Sequence, residues 1–423
     1  MLQILLAISV IVVGFLAFRF FNNSPVGAWA CLLLLVFATQ ATSLVAGMAG
    51  AVHLYPGDVL TVLLLVVGIV RIMPVISRGG ISAILAPLFL ALVVFSLVRG
   101  LFESDLTTAG NNSREYLAVS SAFLYFSTFR ADDTKLKKYM DLFLWYCGAL
   151  VLLALVRYAG LGGWLLAPPD SARMLNAGGA GAIAVGFLIC LCRRHYYSSS
   201  RFVSWLTPIF GAMAVILQHR TVWIVLITMM VSAFVVDREL VRRLIPMFAV
   251  GALMAGLLGV AVFGAQVNDQ FETSATDKGT FEWRVQGWMA LLQTDEQTPL
   301  TFAAGMPAGR LFAQSAAMQT ASGHSEYISA LSHVGVLGLC AFLGLVLRPA
   351  VKLFGLRRME GILAFPGPVF WVIFLISLLA FGFTYSITWD QAALLGIANS
   401  IVITRSSADL DERERFVRGR AVS

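Results

Sequence analysis

Runs of about twenty apolar residues follow one another along almost the whole chain, and this spacing restricts the fold more than any motif does. In a bilayer core each backbone amide must find its partner within its own segment, so such runs are expected to be helices. Hydropathy places them at 2–20, 28–48, 58–76, 81–99, 116–130, 139–159, 177–192, 202–218, 221–236, 244–263, 325–347, 363–383 and 386–404. The run 116–130 is short, and 386–404 contains Asp390 and Gln391. The expected fold is an all-α polytopic membrane protein with about 12–13 transmembrane helices. Composition agrees: 59% of the 423 residues are hydrophobic and 13% are charged, about half the charged share of a soluble domain. The first run has no basic segment before it and no small-residue cleavage site before Arg19, so it reads as a retained span.

One long polar stretch divides the series. Residues 1–263 form the first part of the bundle, 264–324 a loop, 325–404 the last part of the bundle, and 405–423 a polar tail. The five cysteines (Cys31, Cys147, Cys190, Cys192 and Cys340) all lie inside apolar runs. They read as small buried side chains, and neither a disulfide framework nor a metal site is expected. No internal repeat or second soluble domain is visible.

Basic residues give the orientation. Alternate connections hold Arg19; Arg71 and Arg78; Arg130, Lys135, Lys137 and Lys138; Arg193, Arg194 and Arg201; Arg238, Arg242 and Arg243; Arg348, Lys352, Arg357 and Arg358; and five arginines from Arg405 onward. The other side holds only Arg99, Arg114, Arg157, Arg173, Arg220, Lys278, Arg284 and Arg310. By the positive-inside rule the first set is cytoplasmic, so the long loop and His324 face outward. The net charge of +7 then reflects anchoring beside anionic lipid headgroups. It does not point to nucleic acid, for which no basic-aromatic motif is present.

On the outer side, Arg220 lies in Gln218-His219-Arg220-Thr221-Val222-Trp223, an almost loopless hairpin between two apolar spans. An ionisable group there is expected at the interface or against an outward-open cavity. Arg284 lies in a stretch whose apolar residues at 281, 285, 288, 289 and 292 form a helical stripe. That stretch is expected to rest on the bilayer surface as an amphipathic helix, with Arg284 level with the headgroups. His324 opens the following span. Two guanidiniums suit the oxygens of a diphosphate, and an imidazole can take a proton from a hydroxyl.

Each feature also has an ordinary reading. An interfacial arginine can be an anchor, Trp223, Trp283 and Trp288 can be belt aromatics, and a histidine at a helix start can be a surface residue. His219 could reach the same cavity as Arg220, whereas His333 falls about 180° around the helix from His324. Ala177-Gly178-Gly179-Ala180-Gly181 reads as a helix-packing face.

The segment His324-Ser325-Glu326-Tyr327-Ile328, followed by Leu331, Gly335, Gly338 and Leu339, resembles the signature of the O-antigen ligase and polymerase superfamily. In that signature a histidine after a periplasmic loop leads into a Gly-x-x-Gly-Leu helix. Gln218 to Trp223 is similar to the family's arginine motif, and Arg284 with Trp288 and Leu291 to its Arg-x-x-x-Trp helix. Pro299 to Gly309 is similar to the stretch before its histidine, with Met306-Pro307 where a second glycine is frequent. The likeness covers about residues 200–345.

The resemblance implies a metal-independent, inverting membrane glycosyltransferase without cofactor, in the bacterial inner membrane with its active site facing the periplasm. Its donor would be an undecaprenyl-diphosphate-linked glycan. Arg220 and Arg284 would hold the diphosphate, and His324 would act as base. Arg310 is a weaker candidate for glycan or phosphate contact, Arg114 weaker still, and Tyr327 and His219 complete the set of substrate-binding candidates. A ligase would use lipid A–core as acceptor, and the single compact loop favours it narrowly. A polymerase would use a lipid-linked repeat. A transporter of lipid-linked glycans is the alternative from another class; it would be expected to carry repeats and midplane charges.

Overall fold

The computed structural model describes residues 2–41, 47–49, 52–79, 81–161, 174–197, 201–242, 279–292, 298–310, 325–357 and 365–421, with isolated positions between 245 and 256. His324, and most of the span expected at 244–263, lie outside the described residues.

The described chain is helical apart from a small hairpin. Helices α1 (Leu2–Asn23) and α2 (Pro25–Ala41) lead to β1 (Gly47–Ala49) and β2 (Val52–Leu54). The strands pair antiparallel with Met48 opposite His53, so the end of the run expected at 28–48 is not helical. There follow α3 (Pro56–Gly79), α4 (Ile81–Glu103), α5 (Leu106–Ser127), α6 (Asp133–Tyr158), α7 (Ala177–Tyr196), α8 (Arg201–Ile216) and α9 (Arg220–Val236). The loop region contributes α10 (Gly279–Leu292) and the short α11 (Pro299–Ala304). The chain closes with α12 (Glu326–Leu356), α13 (Pro368–Gly382) and α14 (Trp389–Ala421).

This is the fold of a multi-pass helical membrane protein. Among the described residues, five helices are long and apolar enough to cross a bilayer, or six if the bent α1–α2 pair is one span. That is fewer than the twelve or thirteen expected, for identifiable reasons. α8, α9 and α13 are apolar but shorter. α5 carries Asn111, Asn112, Ser113, Arg114 and Glu115 in its first half, and α14 runs on through the charged residues after Arg405. The stretch expected as a tail from residue 405 therefore continues the last helix as far as Ala421.

Pairing between helix ends sorts the connections into two groups. At one end Arg71 donates to the Asn22 carbonyl, Arg193 pairs with Asp141, and the Ala131 amide donates to Thr404. Phe365 approaches Asp133 at the same end. At the other end Arg114 pairs with Asp58 at 2.8 Å, Gln40 bonds Asn176, and Arg310 pairs with Glu103 at 2.9 Å. The basic connections thus gather at one end and the basic-poor connections at the other, as the alternation of charge along the chain predicts.

An aromatic cluster packs just inside the basic end. Trp29 is fully buried, stacked 6.0 Å from Phe143 and edge-on to Phe126, and its indole N–H donates to the Tyr139 carbonyl at 2.9 Å. The small-residue run behaves as a packing face. A Cβ on Gly178 would lie 2.7 Å from Thr388, and one on Gly179 3.1 Å from Gln40. Asn176 caps α7 by accepting from the Gly179 amide at 2.9 Å. Cys147, Cys190 and Cys192 are buried as expected, but Cys31 and Cys340 lie on outer helix surfaces.

After α11, residues 305–309 insert between α4 and α12. The Met306 amide donates to the Ser332 carbonyl at 2.8 Å, and the Ala308 amide to the Ser96 carbonyl at 3.0 Å. The Ser96 hydroxyl donates to the Met306 carbonyl at 2.7 Å, and Arg99 to the Gly305 carbonyl at 2.8 Å. α12 breaks its helical geometry at Gly335 (φ 68°, ψ −172°), beside this insertion. Ser96→Ala removes one buried hydrogen bond of the insertion and is expected to lower stability by about 1 kcal/mol. Thermal unfolding of the detergent-solubilised protein checks this; an unchanged midpoint would count against the insertion.

Candidate functional site

The candidate site forms where three distant parts of the chain meet the connector between α13 and α14. The first part is the α8–α9 reversal. Gln218 takes a left-handed conformation (φ 53°), uncommon for a side chain with a Cβ, and this allows α9 to start two residues later. His219 is its N-cap residue and Arg220 its first helical residue. The His219 ring is buried, with Nε2 2.9 Å from the Leu175 carbonyl, so it braces the segment before α7. The Arg220 side chain is exposed. The next residue, Thr221, shares a 2.7 Å hydroxyl–hydroxyl bond with Thr384 of the connector.

The second part is α10, which forms where the apolar stripe predicts. Trp288 packs edge-on against Phe383 with ring centroids 5.9 Å apart, so it anchors the helix to the protein. Met289, on the same expected stripe, is exposed. Arg284 is half-buried and points at the connector. Its guanidinium carbon lies 5.0 Å from the Tyr385 ring centre. Among the described residues its two terminal nitrogens make only long contacts, 3.5 Å to the Thr384 carbonyl and 3.3 Å to the Tyr385 hydroxyl. Its buried Nε has no partner among the described residues. An arginine held this loosely keeps donors for an anion.

The third part is the start of α12. Ser325 is its N-cap residue, and its hydroxyl lies 3.4 Å from the Gly382 carbonyl. The Glu326 carboxylate accepts from the Ile387 amide at 2.9 Å, and the Tyr327 hydroxyl donates to the Leu379 carbonyl at 2.6 Å. A Cβ on Gly382 would lie 3.3 Å from Glu326, so the connector and α12 approach closely. Tyr327, a substrate-binding candidate from sequence, thus uses its hydroxyl to fasten α12 to α13.

Glu326→Gln keeps an acceptor for the Ile387 amide and is expected to be nearly neutral. Glu326→Leu leaves that buried donor unpaired and is expected to cost about 1–3 kcal/mol. Thermal unfolding of the two variants side by side checks this, and equal midpoints would remove the connector tie from the account.

Arg284 therefore reaches the connector directly, while for Arg220 it is the neighbouring Thr221 that bonds to it. The positive end of the α9 helix dipole adds to the cationic character there. Arg310 and Arg114 are not brought to it. Arg310 pairs with Glu103 at the end of α4. Arg114 pairs with Asp58 and lies over the Tyr55 ring at 4.5 Å, on the α3 side.

Sequence reasoning missed Thr384 and Tyr385, which it read as the seam between two spans. The available signal was the polar run Thr384-Tyr385-Ser386 between two very apolar segments. Asp390, flagged as unusual for a span, is almost completely buried just beyond the connector.

No protein-family model and no curated protein matches this chain.

Proposed function

We propose that this protein is a metal-independent, inverting membrane glycosyltransferase of the O-antigen ligase type. It would move a glycan from undecaprenyl diphosphate to an acceptor hydroxyl at the periplasmic face of the bacterial inner membrane. One observation carries the reading: Arg220's hairpin, Arg284's helix and the helix that follows His324 are bonded to a single connector, residues 382–387.

In this reading the acceptor oxygen bonds to the anomeric carbon as the bond from that carbon to the diphosphate oxygen breaks. His324 accepts the acceptor's proton. Arg220 and Arg284 hold the negative charge that develops on the leaving diphosphate, with the α9 N-terminus assisting. Arg284's unpartnered Nε and its long contacts to Thr384 and Tyr385 suit such a role. A diphosphate leaves without a proton donor, so two cations and one base make a sufficient set.

Lipid A–core is the acceptor we favour; a lipid-linked repeat unit would make the protein a polymerase with the same donor chemistry. Reconstitution with undecaprenyl-diphosphate glycan and both acceptors in competition tests the proposal. Glycan on lipid A–core supports the ligase, and elongated lipid-linked glycan makes it a polymerase. Movement of the donor between leaflets with no new glycosidic bond overturns the transferase reading in favour of transport.

A further inference from the structure

One stripe of α5 is polar where the bundle is otherwise closed. Asn112, Tyr116 and Ser120 recur every four residues and so lie above one another on a single helix face. They are 6%, 7% and 3% exposed. Both polar atoms of the Asn112 amide and the Ser120 hydroxyl have no hydrogen-bond partner among the described residues, and the Tyr116 hydroxyl points at Ser329 of α12. On α12, Ser332 is 8% exposed and its hydroxyl is likewise unpartnered among the described residues. The Tyr116 and His333 rings lie 4.8 Å apart, inclined at 43°, so the α5 stripe faces the Ser332–His333 turn.

Buried polar groups without partners are costly, at about 1–3 kcal/mol each on mutational scales, and a concentration of them asks for a ligand. Packing does not require them, since Ala, Leu or Phe would fill the same stripe. The stripe is also close to the candidate site. Glu326, bonded to the connector, lies two helical turns before His333 and on the same face of α12.

We propose that this stripe and the facing turn of α12 bind the acceptor sugar, with Asn112 and Tyr116 as the principal hydroxyl-binding side chains. The proposal rests on the glycosyl-transfer reading. The group chemistry selects the ligand class. An amide, a phenol and two aliphatic hydroxyls offer donors and acceptors together with two aromatic faces and no cation among them. That matches the neutral hydroxyls of a pyranose and does not match a phosphate. The location selects acceptor over donor. The cation Arg284, suited to the donor's diphosphate, sits by Thr384 and Tyr385, while the stripe lies on the α5 side of Glu326. Inversion needs the acceptor oxygen to approach the anomeric carbon from the side away from the leaving group.

Full-length protein in nanodiscs, probed by saturation-transfer NMR with the methyl glycosides of glucose, galactose and N-acetylglucosamine, tests the pocket without any transfer reaction. At least one glycoside is expected to bind the wild-type protein. Its affinity is expected to fall about tenfold in Asn112→Leu and in Tyr116→Phe, the loss of one well-placed hydrogen bond. Asn111→Ala, on the exposed side of the same turn, is expected to bind like wild type. Asn112→Leu replaces an unpartnered amide by an apolar side chain, so its thermal midpoint is expected to stay level or rise. In the transfer assay the acceptor KM should rise about tenfold with the donor KM unchanged.

The proposal is overturned if none of the glycosides binds the wild-type protein, or if the two variants bind them as it does. Glycoside binding that the variants lose, in a protein that transfers no glycan, would leave the pocket standing and remove the transferase reading instead.

Discussion

On the proposed transferase reading, Arg284→Ala is expected to lower glycan transfer by about 10²–10³-fold, the usual effect of removing one preorganised donor from developing negative charge. The protein should insert and fold normally, because the native contacts of Arg284 are two long hydrogen bonds and a ring contact at the connector. Arg284→Lys keeps the charge but loses the planar fork, and should recover only part of the activity. Arg220→Ala should act in the same range for the same reason.

His324→Ala removes the proposed base and is expected to cost about 10²–10⁴-fold. Donor affinity separates the roles. It should fall in the arginine variants and hold in His324→Ala. Full transfer activity in purified His324→Ala would discard the base assignment, and unchanged donor affinity in both arginine variants would discard the diphosphate assignment. The measurement is single-turnover transfer with a fluorescent lipid-diphosphate glycan, beside equilibrium binding of the same donor.

The largest expected effect on stability lies at two glycines that face each other across the inserted segment. Gly305 (φ 82°) would place a Cβ 2.3 Å from the His333 carbonyl carbon, and Gly335 (φ 68°) would place one 2.4 Å from that of Ala303. Alanine at either position meets two penalties: a backbone conformation nearly reserved for glycine, at about 1–3 kcal/mol, and overpacking against backbone, at about another 1–3 kcal/mol. Each variant should release residues 305–309 from α4 and α12, seen as faster amide exchange at Met306 and Ala308 and a lower thermal midpoint. Because one substitution already undoes the docking, the double variant should be little worse than either single. Gly14, with nothing within 4 Å of its Cβ position, supplies the control: Gly14→Ala should leave the midpoint unchanged. Independent, additive losses from Gly305 and Gly335 would mean that the two glycines do not share one contact.

These glycines show what the sequence could and could not convey. Gly335 and Gly338 were visible as a pattern, but the pattern did not say that Gly335 faces Ala303 or that a loop amide uses the carbonyl of Ser332. Arg310 looked available as a binding residue because its partner, Glu103, is 207 positions away in sequence. Arg114 looked available for the same reason, with Asp58 on another helix. Asn112 and Ser120 are single polar letters in a helix; only the packing of Tyr116 against His333 shows that their face of α5 turns toward α12.

The helical membrane fold, the alternation of basic and basic-poor connections, and the interest of Arg220 and Arg284 follow from the chain alone. They depend on local quantities, namely hydropathy over about twenty residues and charge next to each run. Only the tertiary structure decided that Arg284 and the Arg220 hairpin meet one connector, that Arg310 and Arg114 are paired elsewhere, and that α5 turns a polar stripe inward. Those facts depend on which helices become neighbours. In a bilayer, where any apolar face satisfies the lipid, close packing and buried polar contacts make that choice.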